Sequence, residues 1–548
     1  ATVSMTSIGL ASLNAGVAAG VSGMVYSSVG GGVLTGVSAL IVAGSAGAAA
    51  ALLSHEFGRS AATDGFFGAY GVYLVLSIAA QAFRLVVAPE LARAAAAGRL
   101  GEETRAWLLS FSLLAVAATA LVVVLAGPIG NLLTADPVAG RVAADALVWV
   151  VPGALGQLLA AIAASALAAV DDYTAAAAGY AAGAVASVSL FAALTSHGIV
   201  ALAWGTAVNG GIALAVPAVV LARRGHLIGP LRLAGLGLGR RLWRLVEGAA
   251  VPLAVQGLYV VALVLAGSLG EGHQTTLSFA YLVAAMLVTA TASTLALVSS
   301  VPLTRRGLSD GAAATHVVEA TWLSLAPIAA AAGVLVLVGG GVFEVLLGDS
   351  YAGDTGRELG RLVLEMAPWM VASVAYTLAY PLLFVAGRRR ALVPLALTVL
   401  AVHVPLAWGL RVGLGLAGVA LALATSTVVL VAGLLAALSP SLLQRVARGL
   451  VAPVALEAGA AALAFGLLSL VIDPVQPWPG SCCTRCCWPV CGGWGSAGPG
   501  ATSGPCTADP AAAPMIAPCP APSSPASPAR TARCSPSCCS AAATRWRA

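Results

Sequence analysis

The residues of this sequence best suited to bind a charged ligand are its arginines, since all 27 basic residues are Arg and none is Lys. Most arginines lie in short loops, but Arg84 falls within an apolar stretch, five residues before Pro89. A guanidinium fork matches the oxygens of a phosphate, so Arg84 is a candidate phosphate ligand. Gln81 lies three residues earlier and would share the same helix face. Snorkelling of Arg84 to the membrane surface is an equally good interpretation.

Amide side chains also fall at membrane depth. Gln157 and Gln256 lie within long apolar stretches, where polar groups are costly and usually face the interior of a helix bundle. Such amides more often form hydrogen bonds between helices than contact a ligand. Carboxylates such as Asp145, Glu247 and Glu365 lie near helix starts, which the helix dipole favours. This distribution weakens a proton-antiport mechanism that depends on a buried acid.

Common catalytic motifs are incomplete. A phosphate loop of the GxxxxGK[ST] type and a Schiff base both need lysine, which the sequence lacks. The GLGLAG stretch at 413–418 follows no strand, and His55-Glu56 lacks the second histidine of a zinc motif. His403 lies within an apolar helix, where a bond to a backbone carbonyl is the simpler interpretation. We therefore expect a protein that is not an enzyme and needs no cofactor.

The composition is that of a membrane protein. Of 548 residues, 59% are hydrophobic and only 9% are charged, and the mean hydropathy is +0.96. Soluble domains contain about 25% charged residues. The formal charge of +6 comes with loop arginines, so it indicates orientation in a bilayer rather than nucleic-acid binding. The start of the sequence does not resemble a cleavable signal peptide.

Apolar stretches long enough to cross a bilayer, about 20 residues each, recur along the chain. The sequence predicts thirteen such helices, at residues 30–54, 65–89, 106–127, 147–170, 175–195, 199–222, 248–268, 277–301, 321–341, 363–385, 392–409, 414–437 and 451–472.

The loop arginines predict the orientation of these helices. If the N-terminus is cytoplasmic, sixteen arginines fall in cytoplasmic loops and five in outer loops, with Arg84 inside a helix. This bias agrees with the positive-inside rule. We expect a multi-pass protein of the bacterial cytoplasmic membrane with its N-terminus in the cytoplasm.

Polar landmarks recur with a constant spacing, which indicates an internal repeat. Asp136 and Asp349 lie in similar loops 213 residues apart, and Pro89 and Pro302 have the same separation. Later landmarks need a three-residue insertion. Each unit has six helices, an even number, so both units enter the membrane in the same direction. The predicted fold is all-α, with two parallel six-helix lobes plus a C-terminal helix.

This repeat divides the chain into segments. We expect a flexible leader at 1–29, an N-lobe at 30–222, a cytoplasmic Arg-rich linker at 223–247, a C-lobe at 248–437 and a thirteenth helix at 451–472. All ten cysteines lie within 482–539, in a Pro- and Ser-rich tail at 479–548. This tail has the composition of an out-of-frame translation product. A disordered extension and a metal site at CCTRCC, 482–487, are the alternatives.

Several stretches resemble the multidrug/oligosaccharidyl-lipid/polysaccharide flippase superfamily, and most closely its mouse-virulence-factor branch, to which lipid II flippases belong. TDGFF at 63–67 is similar to the opening of that family's second helix, and Pro89-Glu90-Leu91 to its exit. Residues 279–306 resemble its eighth helix, with a proline and then arginines at the end. The family carries arginines in helix one and a pair in helix two, whereas residues 30–54 have none and helix two has only Arg84.

The resemblance implies a flippase that moves a polyprenyl-linked glycan across the membrane by alternating access. A multidrug exporter of the same superfamily and a non-transporting scaffold in envelope assembly are the alternatives. The expected partners are the lipid-linked glycan and membrane lipids, with the protein a monomer that could work beside envelope-biosynthesis proteins. The candidate substrate-binding residues are Arg84, Gln81, Asp64, Arg59, Gln157 and Gln256.

Overall fold

A computed structural model describes residues 25–227, 237–289, 291, 310–386 and 388–471. Almost all of these residues are helical. The helices are α1 (Val25–Phe57), α2 (Ala61–Ala96), α3 (Leu100–Leu133), α4 (Pro137–Ala168), α5 (Thr174–Ala193), α6 (Val200–Arg223), α7 (Leu238–Gly267), α8 (His273–Val288), α9 (Asp310–Val338), α10 (Gly341–Leu347), α11 (Asp354–Glu365), α12 (Ala367–Val385), α13 (Leu392–Leu438) and α14 (Pro440–Val471).

The protein is a multi-pass, all-α membrane protein. Within the described residues, ten helices are long and apolar enough to cross a membrane, and the bent pair α11–α12 makes eleven. Every predicted segment falls on a helix, although the segment 277–301 lies partly outside the described residues. Within a helix, backbone N–H and C=O groups form hydrogen bonds with one another. This is necessary in a membrane because hydrocarbon offers these groups no hydrogen-bond partner.

Some predicted boundaries were wrong. α1 begins at Val25, inside the predicted leader, and α7 begins at Leu238, inside the predicted linker. Pro89 does not end its helix, because α2 continues to Ala96. Pro89 is exposed, and its carbonyl accepts a hydrogen bond from Nε of Arg93 in the next turn of the same helix, at 3.2 Å. Membrane helices tolerate such prolines. Residues 1–24, Pro302 and the tail lie outside the described residues.

Helix α13 contains two predicted helices joined at Gly415, whose φ of +60° is not helical. Contacts across this point pair His403 with Ser426 and Leu410 with Gly418. In both pairs, a residue before Gly415 contacts a residue after it, and the pair closer to Gly415 on one side is also closer on the other. This is the pattern of two antiparallel helices. α13 is therefore a helical hairpin, and its arms correspond to the predicted segments 392–409 and 414–437.

The two lobes have the same packing plan, which confirms the predicted two-lobe fold. In the N-lobe, α2 packs on α4, α3 on α4, α4 on α6 and α1 on α5. In the C-lobe, the equivalent contacts join α8 to α11 and α12, α9 to α12, α12 to α13 and α7 to α13. α14 lies outside this repeat and packs on α9.

The lobes meet along α2, which packs against α7 and α8. At Gly71 of α2, an added Cβ would lie 3.2 Å from Leu263 and 3.4 Å from Val260, both in α7. Small residues allow membrane helices to approach closely, and dispersion then stabilises their contact. α2 has 36 residues, so it spans about 54 Å and reaches both faces of the bundle.

Candidate functional site

The first turns of α2 and α8, which are equivalent in the repeat, meet at the face where the arginine distribution predicts the outside. Asp64 of α2 is buried and accepts three hydrogen bonds from the start of α8. The backbone N–H of Gly272 donates at 2.6 Å, and Thr275 donates from its N–H at 2.8 Å and its hydroxyl at 2.6 Å. Free N–H groups and the helix dipole both favour a carboxylate there. Asp64 therefore caps a helix of the other lobe.

The capping is reciprocal. Glu271, just before α8, accepts a hydrogen bond from the N–H of Ala61 in the first turn of α2, at 2.8 Å. Arg59 crosses the junction as well, donating from Nε to the carbonyl of Gly272 at 3.0 Å and pairing with Glu358 of α11 at 3.2 Å. We call Arg59, Asp64, Glu271, Gly272 and Thr275 the outer junction.

Gly272 is required at this junction for two reasons. Its φ of +81° lies in the left-handed region that favours glycine. A Cβ at this position would also lie 2.2 Å from Cγ of Arg59. Any larger residue would therefore displace the arginine that joins the lobes.

Two further contacts lie beside the outer junction. Gln274 of α8 is buried and donates to the carbonyl of Leu133, the last residue of α3 in the N-lobe, at 2.8 Å. One turn deeper, the ring of Phe67 in α2 meets Phe279 in α8 edge-on, with 5.4 Å between ring centroids. A polar layer and an apolar layer together join the lobes at this face.

The opposite end of α2 carries a second set of contacts between the lobes, at the predicted cytoplasmic face. Arg244 of α7 pairs with Glu90 of α2. Arg241 pairs with Glu103 of α3 at 2.7 Å and lies over the ring of Trp107, 4.7 Å from its centroid. Cation–π contacts of this kind add to an ion pair because the ring face is negative.

These ion pairs lie beside a cavity of about 620 Å³. The ends of α2, α3 and α7 form its wall, and the charged lining residues are Glu90, Arg93, Arg99, Glu102, Glu103, Arg244 and Glu247. The lining contains both arginines and glutamates, which can form ion pairs with each other. A polar ligand in the cavity can replace these ion pairs with its own contacts to the same side chains.

Arg84 lies within the N-lobe and contacts α5. Its guanidinium donates to the hydroxyl of Tyr180 at 2.8 Å and lies 5.3 Å from the centroid of the same ring. The side chain is half-buried. One guanidinium nitrogen therefore has a partner, and no other described residue accepts a hydrogen bond from this side chain, so its remaining N–H donors can bind a ligand or water.

The six residues named from the sequence do not form one cluster. Arg59 and Asp64 belong to the outer junction, and Arg84 contacts Tyr180. Gln157 is buried in α4 of the N-lobe; Gln256 is buried in α7 and donates to the hydroxyl of Tyr281 at 3.3 Å. The side chain of Gln81 lies outside the described residues.

Sequence reasoning missed Glu271, Thr275, Gln274 and Glu358. The repeat offset of 213 places Arg59 on Gly272, and this pairing could have revealed that the two helix starts are equivalent. It could not reveal that they touch, because spacing alone gives no distance between lobes. Among the described residues, no group of three or more His, Cys, Asp or Glu side chains is placed to hold a metal ion.

No family model matches the sequence, and no curated protein matches it. Solved structures do match. The lipid II flippase MurJ in an inward-closed conformation aligns with a TM-score of 0.63 at 14% identity, over 80% of this chain and 98% of MurJ. An inward-facing multidrug resistance MATE family transporter of the MOP superfamily aligns with a TM-score of 0.59 at 15% identity, over 74% of this chain and 94% of the transporter.

The chain therefore has the fold of a MOP-type transporter, as the sequence resemblance predicted. MOP abbreviates the flippase superfamily named above. Both structural neighbours are transporters rather than enzymes. Within this fold class, the alignment with the lipid flippase spans nearly the whole length of that protein.

Proposed function

We propose that this protein is a flippase that moves a polyprenyl-linked glycan from the cytoplasmic to the outer leaflet of a bacterial cytoplasmic membrane. The pyrophosphate and sugars of such a lipid cannot cross hydrocarbon unaided, because each unpaired polar group loses several kcal/mol of hydration. Two lobes that rock about a central path solve this problem by exposing the head group to one face at a time.

The observation that carries the proposal is the arrangement of polar contacts between the lobes at both ends of α2. At the predicted outer face, Asp64 and Glu271 cap helices of opposite lobes. At the predicted cytoplasmic face, Arg241 and Arg244 form ion pairs across the lobes. Alternating access requires one set to break while the other holds, and the polar part of each set consists of a few exchangeable bonds.

The energies involved suit a switch. A hydrogen bond to a charged group contributes about 1.5–3 kcal/mol, so each set contributes only a few such increments. A ligand shifts a two-state equilibrium by its differential affinity for the two states, and about 5.5 kcal/mol moves it from 1:99 to 99:1. Binding of a head group in the cavity beside Glu90 and Arg244 would contribute to that difference by competing with their ion pair, which is weak because it is partly exposed to solvent.

Arg84 is the proposed contact for the pyrophosphate. Its guanidinium is held by Tyr180, and its remaining donors can bind phosphate oxygens in the two-bond geometry that arginine favours. Gln81, one turn away, would bind beside it. Gln157 and Gln256 are proposed to make weaker contacts with the glycan. Arg59 and Asp64 are proposed to close the substrate path at the outer face.

The proposed setting follows from the arginine bias described above. The N-terminus is cytoplasmic, the outer junction faces away from the cytoplasm, and the protein works as a monomer in contact with membrane lipids. Proteins of envelope biosynthesis are proposed partners, because they make and use lipid-linked glycans.

A multidrug exporter is the second candidate, which the similarity to the MATE family transporter favours. The two functions differ in the ligand. An exporter would take a soluble amphipathic cation, whereas a flippase would take a lipid whose head group is anionic, which suits Arg84 better.

The test is a leaflet-accessibility assay in proteoliposomes. A fluorescent polyprenyl-pyrophosphate disaccharide is incorporated, and a membrane-impermeant quencher reports the fraction exposed outside. We expect the protein to equilibrate the lipid between leaflets and Arg84→Ala to slow this at least about tenfold, as loss of a charge-assisted contact would. Tyr180→Phe keeps the charge and the ring but removes the hydroxyl that positions the guanidinium, so we expect it to slow movement of the lipid less than Arg84→Ala does.

Two results would overturn the flippase proposal. Rates equal to those of protein-free liposomes, from a protein that is folded, would remove it. Uptake of a lipophilic cationic dye without movement of the lipid would replace it with the exporter.

A further inference from the structure

Two hydroxyl groups of α2 are buried and have no hydrogen-bond partner among the described residues. They belong to Tyr70 and Ser77, whose exposed fractions are 6% and 2%. A buried polar group without a partner loses its hydration and gains nothing in return. Such groups are few in native proteins, and each needs an explanation, such as a water molecule or a ligand that binds there.

These two residues lie on the same face of α2 as Arg84. Tyr70, Ser77 and Arg84 are spaced by seven residues, and seven residues of an α-helix make about two turns. The three side chains therefore form a stripe about 21 Å long, since each residue adds about 1.5 Å. Ser77 is the central member and lies near the middle of this 36-residue helix. We call Tyr70, Ser77 and Arg84 the polar stripe of α2.

The C-lobe holds an unpartnered polar atom at the depth of Ser77. α2 and α7 run in opposite directions, and Gly71 of α2 faces Leu263 of α7. Ser77 lies six residues from Gly71 toward the cytoplasm, and the same step along α7 leads from Leu263 to residue 257, next to Gln256. Nε2 of the buried Gln256 donates to a tyrosine hydroxyl, but its Oε1 has no partner within the described part of the chain.

We propose that Tyr70 and Ser77, with Gln256 of the other lobe at the same depth, bind the hydroxyl groups of the sugars as the glycan passes between the lobes. This inference rests on the proposed flippase function, and it makes the two residues determinants of specificity for the glycan. With the pyrophosphate at Arg84, sugars that extend toward the outer face would lie along the rest of the polar stripe.

The chemistry of the unpartnered atoms selects sugars among the parts of the lipid. Oε1 of Gln256 only accepts hydrogen bonds, so it needs a donor, which an ionised pyrophosphate does not have. The hydroxyls of Tyr70 and Ser77 both donate and accept, as sugar hydroxyls do. The polyprenyl chain offers neither donor nor acceptor. Of the three parts of the lipid, only the glycan can therefore satisfy all of these atoms.

The test compares two lipids in the leaflet-accessibility assay, each with its fluorophore on the polyprenyl chain. One is the pyrophosphate disaccharide, and the other is polyprenyl pyrophosphate without sugar. We expect Tyr70→Phe and Ser77→Ala each to slow the disaccharide lipid about threefold, and the double variant to slow it at least about tenfold, as loss of one and two hydrogen bonds would. Movement of the sugar-free lipid should not change.

Thermal unfolding separates this role from a structural one. Neither hydroxyl has a partner to lose in the folded protein. Tyr70→Phe and Ser77→Ala should therefore unfold no lower in temperature than the unmodified protein, because removing an unpartnered polar group is neutral or stabilising. Marked destabilisation together with slower movement of both lipids would assign the two hydroxyls to the packing of α2.

The matched controls are Tyr259→Phe and Ser165→Ala, which make the same chemical changes at buried hydroxyls that have partners. Tyr259 donates to the hydroxyl of Ser278 at 3.0 Å, and Ser165 to the carbonyl of Ala161 at 2.7 Å. Neither lies on the polar stripe. Both controls should leave the ratio of the rates for the two lipids as it is in the unmodified protein.

The outcomes separate this inference from the flippase proposal. If the unmodified protein moves both lipids and the double variant does so at the same rates, the hydroxyls bind only water and the inference fails, while the flippase proposal stands. Equal slowing of both lipids by a stable double variant would overturn the assignment to sugars. Failure of the folded, unmodified protein to move either lipid would remove the flippase proposal and this inference with it.

Discussion

The two lobes have the same order of packing but fill their interiors differently. In the N-lobe the backbones of α4 and α6 nearly touch, since a Cβ on Gly210 would lie 2.0 Å from the carbonyl oxygen of Gly153. In the C-lobe large aromatic rings separate the helices. Tyr281 stacks on Tyr259 with 4.0 Å between centroids and contacts Trp369 at 4.9 Å.

The helices that correspond in the two lobes also differ in shape. α4 is a single helix of 32 residues, capped by Asp136, which accepts from the N–H groups of Val138 and Ala139. Its counterpart is divided into α11 and α12, which are bent by 41°. Asp349, the repeat partner of Asp136, begins a short 3₁₀ turn instead.

This difference indicates how a duplicated unit can acquire a moving part. Close backbone packing makes the N-lobe a rigid body, because few side chains can rearrange between its helices. The bend of the C-lobe produces α11 at the predicted outer face, and α11 supplies Glu358 to Arg59. We therefore expect the C-lobe to provide the adjustable side of the outer junction.

The largest effect should follow from filling the closest contact of the N-lobe. Gly210→Val would force a branched side chain against the carbonyl of Gly153, and overpacking of this severity should lower the free energy of unfolding by about 3 kcal/mol or prevent folding. Gly211→Val is the control, since a Cβ there has no neighbour within 4 Å. Thermal unfolding in detergent measures both. Equal stability of the two variants would contradict a tightly packed N-lobe.

The next effect concerns the outer junction. Asp64→Ala removes three hydrogen bonds to the start of α8, and we expect the closed state of this face to lose about 2–4 kcal/mol relative to the open state. Spin labels on the outer ends of α2 and α8 should then report a longer distance. Asp136→Ala also removes a helix cap, but within one lobe, so the distance should not change. A change in both variants would mean that any lost cap opens the lobes.

A smaller effect is expected within the C-lobe. His403 lies between Ser426, 2.9 Å from Nδ1, and the carbonyl of Leu258, 3.0 Å from Nε2, so it ties α7 to both arms of α13. His403→Leu keeps an apolar side chain but loses both hydrogen bonds, and should reduce the free energy of unfolding by about 1–3 kcal/mol. Thr398→Val on the same helix is the control, because its hydroxyl bonds only to its own helix. Equal destabilisation of the His403→Leu and Thr398→Val variants would contradict a role of His403 in joining α7 to α13.

The smallest effect belongs to a surface pair. Arg357 and Asp354 pair within α11, but their side chains are 68% and 95% exposed, so solvent screens their attraction. Arg357→Ala should change the unfolding free energy by no more than about 0.5 kcal/mol. Arg361→Ala, which breaks the other exposed pair of this helix, should behave alike. A large loss of stability on Arg357→Ala would show that α11 depends on its own surface charges.

Much of the fold could be predicted because lipid imposes few choices. Long apolar stretches must be helices, and the offset that relates Asp136 to Asp349 revealed the repeat. Helix ends were less predictable. Pro89 looked like a terminus, yet α2 continues past it to Ala96.

The candidate site was less predictable than the fold. Asp64 was singled out within a family-like stretch, but its partners lie 208 and 211 residues away. No sequence pattern specifies such a contact. The same applies to Arg84 of α2 and Tyr180 of α5, which lie 96 residues apart and meet through their long side chains.

The central claim is that the lobes must separate at the outer junction for the lipid to cross. The pair Ala61→Cys and Glu271→Cys, in a chain whose ten native cysteines are replaced by serine, can be joined by a bifunctional methanethiosulfonate reagent, because the N–H of Ala61 reaches the carboxylate of Glu271 at 2.8 Å and the reagent spans the length of the replaced side chain. In the leaflet-accessibility assay, we predict that a cross-link stops lipid movement and that a reductant restores it. Undiminished movement in the fully cross-linked protein would contradict the claim.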